Sequence, residues 1–95
     1  MHNRVGRKWI YIPPLRLKQI DSGPFGIVYG VDKKKRQVYC RIGITWSRPS
    51  GQAWRRIGTE KMKSVSAGLY GVWATNEYHR IYFRIGVTRT KPQGE

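Results

Sequence analysis

The chain has 95 residues, of which 19 are lysine or arginine and five are aspartate or glutamate, and its formal charge at pH 7 is +14. A chain of this length forms one small domain, and a charge of this size attracts polyanions such as nucleic acid, anionic glycans or acidic lipid surfaces. No run approaches about 18 apolar residues, so no membrane-spanning helix is predicted, and the single cysteine excludes an internal disulfide.

Short runs rich in β-branched and aromatic residues follow one another along the chain, separated by glycine or proline. Such runs predict β-strands, and no window has the period of an amphipathic helix. The sequence therefore predicts an all-β protein. The predicted strands span residues 9–12, 15–21, 27–31, 37–44, 54–57, 61–66, 71–75 and 80–87.

The order of these strands occurs twice. Val38-Tyr-x-Arg-Ile-Gly-Ile-Thr45 in the first half corresponds to Ile81-Tyr-x-Arg-Ile-Gly-Val-Thr88 in the second, and Trp9 aligns with Trp54. Corresponding residues lie 43 positions apart in the Arg-Ile-Gly motif and 45 apart in the tryptophan pair. We predict an N-terminal arm, residues 1–8, followed by two repeats of four strands each, residues 9–51 and 52–95.

Four antiparallel strands in about 45 residues match the size of a β-propeller blade, whose two faces are covered by neighbouring blades. Known propellers have about four to eight blades, so two blades do not close a ring. We expect the ring to be completed by oligomerisation or by a longer parent chain. In a homo-oligomer, three copies give six blades, and Gly94-Glu95 of one copy approaches Gly6 to Trp9 of the next.

The second repeat, "WRRIGTEKMKSVSAG" followed by "LYGVWATNEYHRIYFRIGVT", resembles the tectonin repeat of the tectonin, tachylectin-1 and fish-egg lectin proteins. The resemblance extends from Gly6 to Gly94. The first repeat departs from it with Tyr29 where the family often has tryptophan and Asp32 where it has asparagine. The resemblance implies a propeller that binds carbohydrate, often on microbial surfaces and including lipopolysaccharide.

The cellular compartment is not predicted. The lectins that this chain resembles are secreted, but its start, MHNRVGRKW, lacks the apolar segment of a secretory signal.

Catalytic patterns are absent from the sequence, and we predict neither enzymatic activity nor a cofactor. No Gly-x-Ser-x-Gly, phosphate-loop or His-Glu-x-x-His motif occurs, and the two histidines, His2 and His79, do not have the spacing of metal ligands. Cys40 stands where the second repeat has Phe83, a position that favours a buried apolar group over a reactive thiol.

The repeated aromatic residues have two interpretations, inter-blade core or ligand platform. Trp9, Tyr29, Trp54 and Trp73 occupy the repeat frame, and large recurring rings favour the core. Trp46 lies in a linker, where its counterpart is Arg89, and either stacks on a sugar ring or covers the blade edge.

Sugars are bound by carboxylates, amides and arginine donors that chelate adjacent hydroxyls, with an aromatic ring against the C–H face. Each repeat supplies such a set. Two structural alternatives stay open: the arginine ties strands together through carbonyl oxygens, and the Asp or Asn belongs to the hairpin turn. The candidate carbohydrate-binding residues are Asp32, Tyr39, Arg41, Trp46, Asn76, Tyr82 and Arg84.

A run of four basic residues fills the predicted hairpin tip of the first repeat, either as a solvated turn or as part of a polyanion-binding surface. The candidate polyanion-binding residues are Lys33, Lys34, Lys35, Arg36, Arg55 and Arg56. The predicted function is a lectin-like module for glycans, with a preference for anionic microbial polysaccharide or lipopolysaccharide. The alternatives are a basic β module that binds nucleic acid or other polyanions, and a protein or membrane-surface adaptor.

Overall fold

A computed structural model describes residues 8–88 and 90–95, apart from the side chain of Phe25. These residues contain seven β-strands, arranged in two antiparallel sheets, and a short 3₁₀ turn at Pro24–Gly26. The predicted all-β class is confirmed. The strands are β1 (Leu17–Gly23), β2 (Ile27–Asp32), β3 (Gln37–Ile42), β4 (Ala53–Lys61), β5 (Ser64–Ala67), β6 (Val72–Thr75) and β7 (Ile81–Arg84).

The two sheets divide the sequence differently from the two repeats. The first sheet has the order β1-β2-β3-β4, and its last strand comes from the second repeat, with Trp54 opposite Arg41 and Ile57 opposite Val38. The second sheet has three strands, β5-β6-β7, where four were predicted.

The strand predicted at residues 9–12 is wrong in this chain, because Trp9 to Ile12 form no strand and Trp9 is fully exposed. Trp54, the counterpart of Trp9, pairs with the sheet that precedes it in the chain. Trp9 has no preceding sheet among the described residues. The predicted arm is described only at Lys8, since residues 1–7 lie outside the described part.

Each sheet has two faces. We call the face of the first sheet that packs against the second sheet its trailing face, and the face of the second sheet that receives it the leading face; the remaining face of each sheet is named accordingly. The trailing face of the first sheet carries Tyr29, Val31, Val38 and Cys40. It packs against the leading face of the second sheet, which carries Val65 and the buried side of β6. Together they form a core whose buried residues are Ile27, Tyr29, Val31, Val38, Cys40, Ile57, Met62, Val65, Val72 and Val87.

Polar side chains of β1 join the sheets where no strand pairing does. The Gln19 amide donates to the carbonyl of Val65 and accepts from the Val65 N–H, both at 2.8 Å. The carboxylate of Asp21 accepts from the Ala67 N–H at 2.7 Å. Side chains thus satisfy backbone groups on the edge of β5, which would otherwise stay unpaired between the sheets.

The prediction that the repeated aromatic rings form inter-blade core is confirmed for Tyr29, which is fully buried between the sheets. Trp54 is half-buried, but it lies opposite Arg41 on the face of the first sheet that points away from the core. Trp9 and Trp73 are exposed, because no sheet in the described part of the chain covers them.

The inter-sheet bond of Asp21 gives a direct stability prediction. Asp21→Ala should lower the free energy of unfolding by about 1–2 kcal/mol, because it leaves the Ala67 N–H without its acceptor. Ser66→Ala is the matched control: it changes the exposed counterpart of Asp21 in the second repeat and should alter stability by less than about 0.5 kcal/mol. Urea denaturation measures both. Equal effects of the two substitutions would refute the bridging role of Asp21.

Cys40 gives a pH prediction. Its side chain is fully buried, as expected for an apolar filler, and burial raises the pKa of the thiol from 9.0 to about 11, although nearby Arg55 and Arg84 oppose the rise. The folded protein therefore holds the thiol proton more tightly than the unfolded chain does. The stability that this contributes is complete below pH 9 and is lost as the pH rises toward 11.

Urea denaturation at pH 7, 9 and 10.5 under reducing conditions tests this loss. Cys40→Ala should be less stable at pH 7, because it removes a buried sulfur, but should lose less stability than the wild type between pH 9 and 10.5. Burial also raises the pKa of Tyr29, and the charge of a Cys40 thiolate raises it further, so Cys40→Ala removes both the thiol titration and its effect on Tyr29. Parallel curves would show that the Cys40 thiol is not the titrating group.

Candidate functional site

The linker that follows β3 (residues 43–52) and the described part of the linker that follows β7 (residues 85–88 and 90–95) share the same turn contacts. The Thr45 hydroxyl accepts from the Arg48 N–H at 3.1 Å, and the Thr88 hydroxyl accepts from the Lys91 N–H at 3.0 Å. In both, the threonine N–H also donates to the carbonyl three residues later. Threonine hydroxyls commonly stabilise such turns, so the Gly-Ile-Thr and Gly-Val-Thr motifs fix where each linker reverses.

An arginine holds each linker against its sheet. Arg41 donates from Nε to the carbonyl of Ser50 at 2.8 Å, and Arg84 donates from Nε to the carbonyl of Gln93 at 2.7 Å. The buried Arg41 guanidinium also lies 5.1 Å from the centre of the Trp54 ring. Burial lowers the pKa of Arg41, and the positive charge of Arg48 acts in the same direction. These contacts are the carbonyl ties that the sequence offered as an alternative to sugar binding.

A glycine lets each linker pass over its arginine. Gly51 and Gly94 both have φ of +77°, a conformation that disfavours other residues. A β-carbon on Gly51 would lie 2.9 Å from the side chain of Arg41, and one on Gly94 would lie 3.0 Å from the side chain of Arg84. The repeated Arg and Gly thus form one structural unit in each linker.

The two linkers enclose an open cleft of about 870 Å³ between the sheets. Trp46, which is 98% exposed, lies in its wall together with Arg55 of β4. The second linker is held in place because the buried Tyr29 hydroxyl donates to the carbonyl of Pro92. The cleft therefore combines an accessible aromatic ring, a guanidinium and a fixed wall. Its lining includes Ile44, Trp46, Arg55, Thr90, Pro92 and Gln93.

Hairpin tips hold two other predicted sugar ligands, at the opposite end of the sheets. The Asp32 carboxylate accepts from the Lys35 N–H at 2.7 Å, and the Asn76 side chain accepts from the N–H groups of Tyr78 and Arg80 at 3.0 Å. These are the turn contacts that the sequence offered as the alternative.

Tyr39 and Tyr82 are half-buried within β3 and β7, away from the cleft lining, and Tyr82 packs against the core. Of the predicted sugar ligands, only Trp46 lies in the cleft. The structure places it in one cleft with Arg55, which the sequence had offered only as a polyanion ligand.

The candidate polyanion residues separate into two groups. Lys33 to Arg36 form the first hairpin tip, beside Lys61 and Met62, whose N–H donates to the Arg36 carbonyl. Arg36 also forms an exposed ion pair of 2.7 Å with Glu77 at the second tip. Arg55 and Arg56 lie in the middle of β4, opposite Cys40 and Tyr39. The two groups thus lie at different positions along the first sheet.

Within residues 8–88 and 90–95, no group of three or more His, Cys, Asp or Glu residues is placed to hold a metal ion. No helix in the same part of the chain is long and apolar enough to cross a membrane.

Comparison with known proteins agrees with the repeat and the fold. The model of the Tectonin domain matches residues 1–95. Tectonin beta-propeller repeat-containing protein 1 of Xenopus tropicalis is 32% identical over 68 residues, and the protein of the same name from Gallus gallus is 29% identical over 70 residues. These matches cover 63% and 65% of this chain but only 6% of each relative, so the chain spans a small part of their length. The 95-residue chain belongs to the Tectonin domain family.

Proposed function

We propose that the chain is a non-enzymatic glycan-binding module whose binding site is the cleft between the two linkers. The observation that carries the proposal is the fully exposed Trp46 in one wall of this cleft, in company with Arg55. Membership of a non-enzymatic family of binding propellers supports the same conclusion.

Trp46 supplies the apolar contact. An indole at the mouth of a cleft offers a flat face to the C–H groups of a pyranose ring, and covering it removes apolar surface from water. Because Trp46 is 98% exposed, it contributes little to the fold and gains most of its contacts only when a ligand binds.

Arg55 supplies the polar contact and the preference for anionic glycans. A guanidinium donates to adjacent hydroxyls and, more strongly, to carboxylate, sulfate or phosphate groups. Arg55 lies in the same cleft as Trp46, so an anionic glycan bound in the cleft can engage both side chains. Acidic microbial polysaccharide and the phosphorylated part of lipopolysaccharide have this chemistry.

The pair of a linker tryptophan and a β4 arginine, Trp46 with Arg55, occurs once in the sequence. The second repeat has Arg89 in place of Trp46, and the first repeat has Ile10 in place of Arg55. A single shallow site predicts weak binding to one sugar unit, strengthened when several chains meet a polymer.

The repeated polar residues have a supporting part in this proposal. Arg41 and Arg84 hold the linkers that form the cleft, and Asp32 and Asn76 close the hairpin tips. Tyr39 and Tyr82 remain candidates for contacts with sugar units that extend beyond the cleft.

A second candidate function is polyanion binding at the first hairpin tip. Lys33, Lys34 and Lys35 are exposed there, and Lys61 pairs with Gln37 at the same end of the sheet. Such a cluster holds phosphates at low salt without reading a sequence or a sugar.

An array of glycans and lipopolysaccharides, probed at two salt concentrations beside a random DNA competitor, separates the candidates. Cleft binding predicts competition by a neutral sugar and partial retention at high salt. Displacement by DNA, with an affinity that falls steeply with salt, would show that phosphate attraction alone is responsible and would favour the polyanion function. Binding to none of these polymers would favour a protein-interaction adaptor.

Trp46→Ala should weaken binding to the best glycan at least about tenfold, which corresponds to about 1.4 kcal/mol, because the sugar loses its stacking surface. Tyr78→Ala is the control: it removes an exposed aromatic ring from the second hairpin tip. Titration calorimetry with both variants measures the difference, and urea denaturation checks that both remain folded. Unchanged affinity in Trp46→Ala would exclude the cleft.

Arg55→Ala should weaken binding to the anionic glycan more than binding to a neutral analogue. Arg56→Ala removes the same charge from the neighbouring position, whose side chain points to the opposite face of β4, and should leave the preference intact. Equal losses in the two variants would show that net charge alone drives binding.

A further inference from the structure

The second sheet has an exposed trailing face that corresponds to the buried trailing face of the first. Cys40 is 0% exposed but its counterpart Phe83 is 39% exposed, and Val38 is 6% exposed but its counterpart Ile81 is 70% exposed. Trp73 and Phe83 pack against each other on this face, with ring centres 4.6 Å apart. Large apolar groups that are buried in one sheet thus face water in the other.

The leading face of the first sheet is exposed in the same way. Ile20 is 56% exposed, whereas its counterpart in the second sheet, Val65, is 3% exposed against the first sheet. The chain therefore carries two different open faces, and the packed interface inside the chain shows that faces of these two kinds fit together.

β7 lies at the edge of the second sheet, and the chain after it makes the same backbone hydrogen bond as the chain that connects β3 to its neighbour β4. The Gln52 N–H donates to the Ile42 carbonyl at 2.8 Å immediately before β4 begins, and the Glu95 N–H donates to the Ile85 carbonyl at 3.1 Å. β4 then pairs with β3 through Ala53 and the segment Trp54-Arg-Arg-Ile57. The matching Trp-x-x-Ile segment, Trp9 to Ile12, forms no strand within residues 8–88 and 90–95, and Trp9 is fully exposed.

We propose that a second copy of this chain binds head to tail, adding its Trp9–Ile12 segment as the fourth strand of the second sheet and covering that sheet's trailing face with its own leading face. The observed pairing of β3 with β4 fixes the register by the repeat. Arg84 lies opposite Trp9 of the second copy, as Arg41 lies opposite Trp54. The remaining pairs are Ile81 with Ile12, Tyr82 with Tyr11, Phe83 with Ile10 and Ile85 with Lys8.

The junction between copies is weaker than the interface inside the chain. The positions of Gln19 and Asp21 are occupied by Ser64 and Ser66 in the second repeat, which are too short to reproduce the inter-sheet bonds. The junction also lacks a counterpart of the ion pair between Arg36 and Glu77, because the first repeat has Lys33 in place of Glu77. Association is therefore reversible and rests on apolar contact and strand pairing, and the charge of +14 on each copy weakens it at low salt.

The contact joins unlike faces, so each added copy leaves a new pair of open faces until a ring closes. Propellers of about four to eight blades correspond to two to four copies of a two-sheet chain. Sedimentation velocity of the 11.1 kDa chain at physiological salt should show a defined species of two to four copies, and the fraction of protein in this species should increase with protein concentration. A monomer at every concentration would overturn the proposal.

Proline at residues 10 and 11 tests the strand. Ile10 and Tyr11 are exposed and lie outside every strand of the free chain, so proline should leave the fold intact. The N–H groups of consecutive strand residues point to opposite edges, so one of Ile10→Pro and Tyr11→Pro removes an N–H that faces β7. Ile10→Ser and Tyr11→Ser, which keep the N–H, are the controls. Loss of assembly in one proline variant with retention in its serine control supports the proposal, and assembly of both proline variants at wild-type strength overturns it.

Cross-linking tests the register. In a Cys40→Ala background, a copy with Ile10→Cys and a separate copy with Phe83→Cys should form a disulfide when mixed, because directly opposed strand positions lie within disulfide range. Phe83→Cys introduces the residue that the first sheet already carries at this position. Arg55→Cys opposite the native Cys40 provides the reference within one chain.

A copy with Tyr82→Cys is the slip control, since its side chain points to the other face and should cross-link poorly with Ile10→Cys. Preferential cross-linking of Ile10→Cys to Tyr82→Cys, or no cross-link to Phe83→Cys in an assembled sample, would refute the register and the proposal.

Discussion

The packing of one twisted sheet against the next is the interaction on which the rest of this structure depends. The first sheet buries Tyr29, Val31 and Cys40 only because the second sheet covers them, and Val65 is buried only against the first. Each sheet is apolar on both faces, so neither is shielded from water by itself. The repeat in the sequence follows from this constraint, because a sheet of this kind needs a similar sheet as its neighbour.

Strand exchange makes the contact continuous along the chain. The fourth strand of the first sheet belongs to the second repeat, so the linker between β3 and β4 must reverse the chain direction and bring β4 back alongside β3. Arg41 and Gly51 hold this linker against the sheet, and Arg84 and Gly94 make the same contacts in the linker after β7. The same linkers form the walls of the proposed glycan cleft, so the fold and the candidate site share their structural supports.

The sequence predicted most of the strands, because alternation and the glycines between runs are local signals. It also offered, as alternatives to sugar binding, the carbonyl contact that Arg41 makes and the turn contacts that Asp32 and Asn76 make. It failed for Trp9 because the segment Trp9 to Ile12 can form a strand only where it pairs with the edge of a neighbouring sheet. No local pattern shows whether such a sheet is present. It also placed Arg55 with the basic cluster. The cleft that Arg55 shares with Trp46 arises from the pairing of β3 with β4 and from the position of the second linker, which are properties of the folded chain.

Amide hydrogen exchange of β7 as a function of protein concentration tests the central claim most directly, because it reports on the open edge itself. We expect the outward amides of Ile81–Arg84 to exchange rapidly in dilute solution and to become protected as the concentration rises, while those of Gln37–Ile42 stay protected throughout. Protection of β7 that is the same at all concentrations, or rapid exchange in β3, would contradict the account.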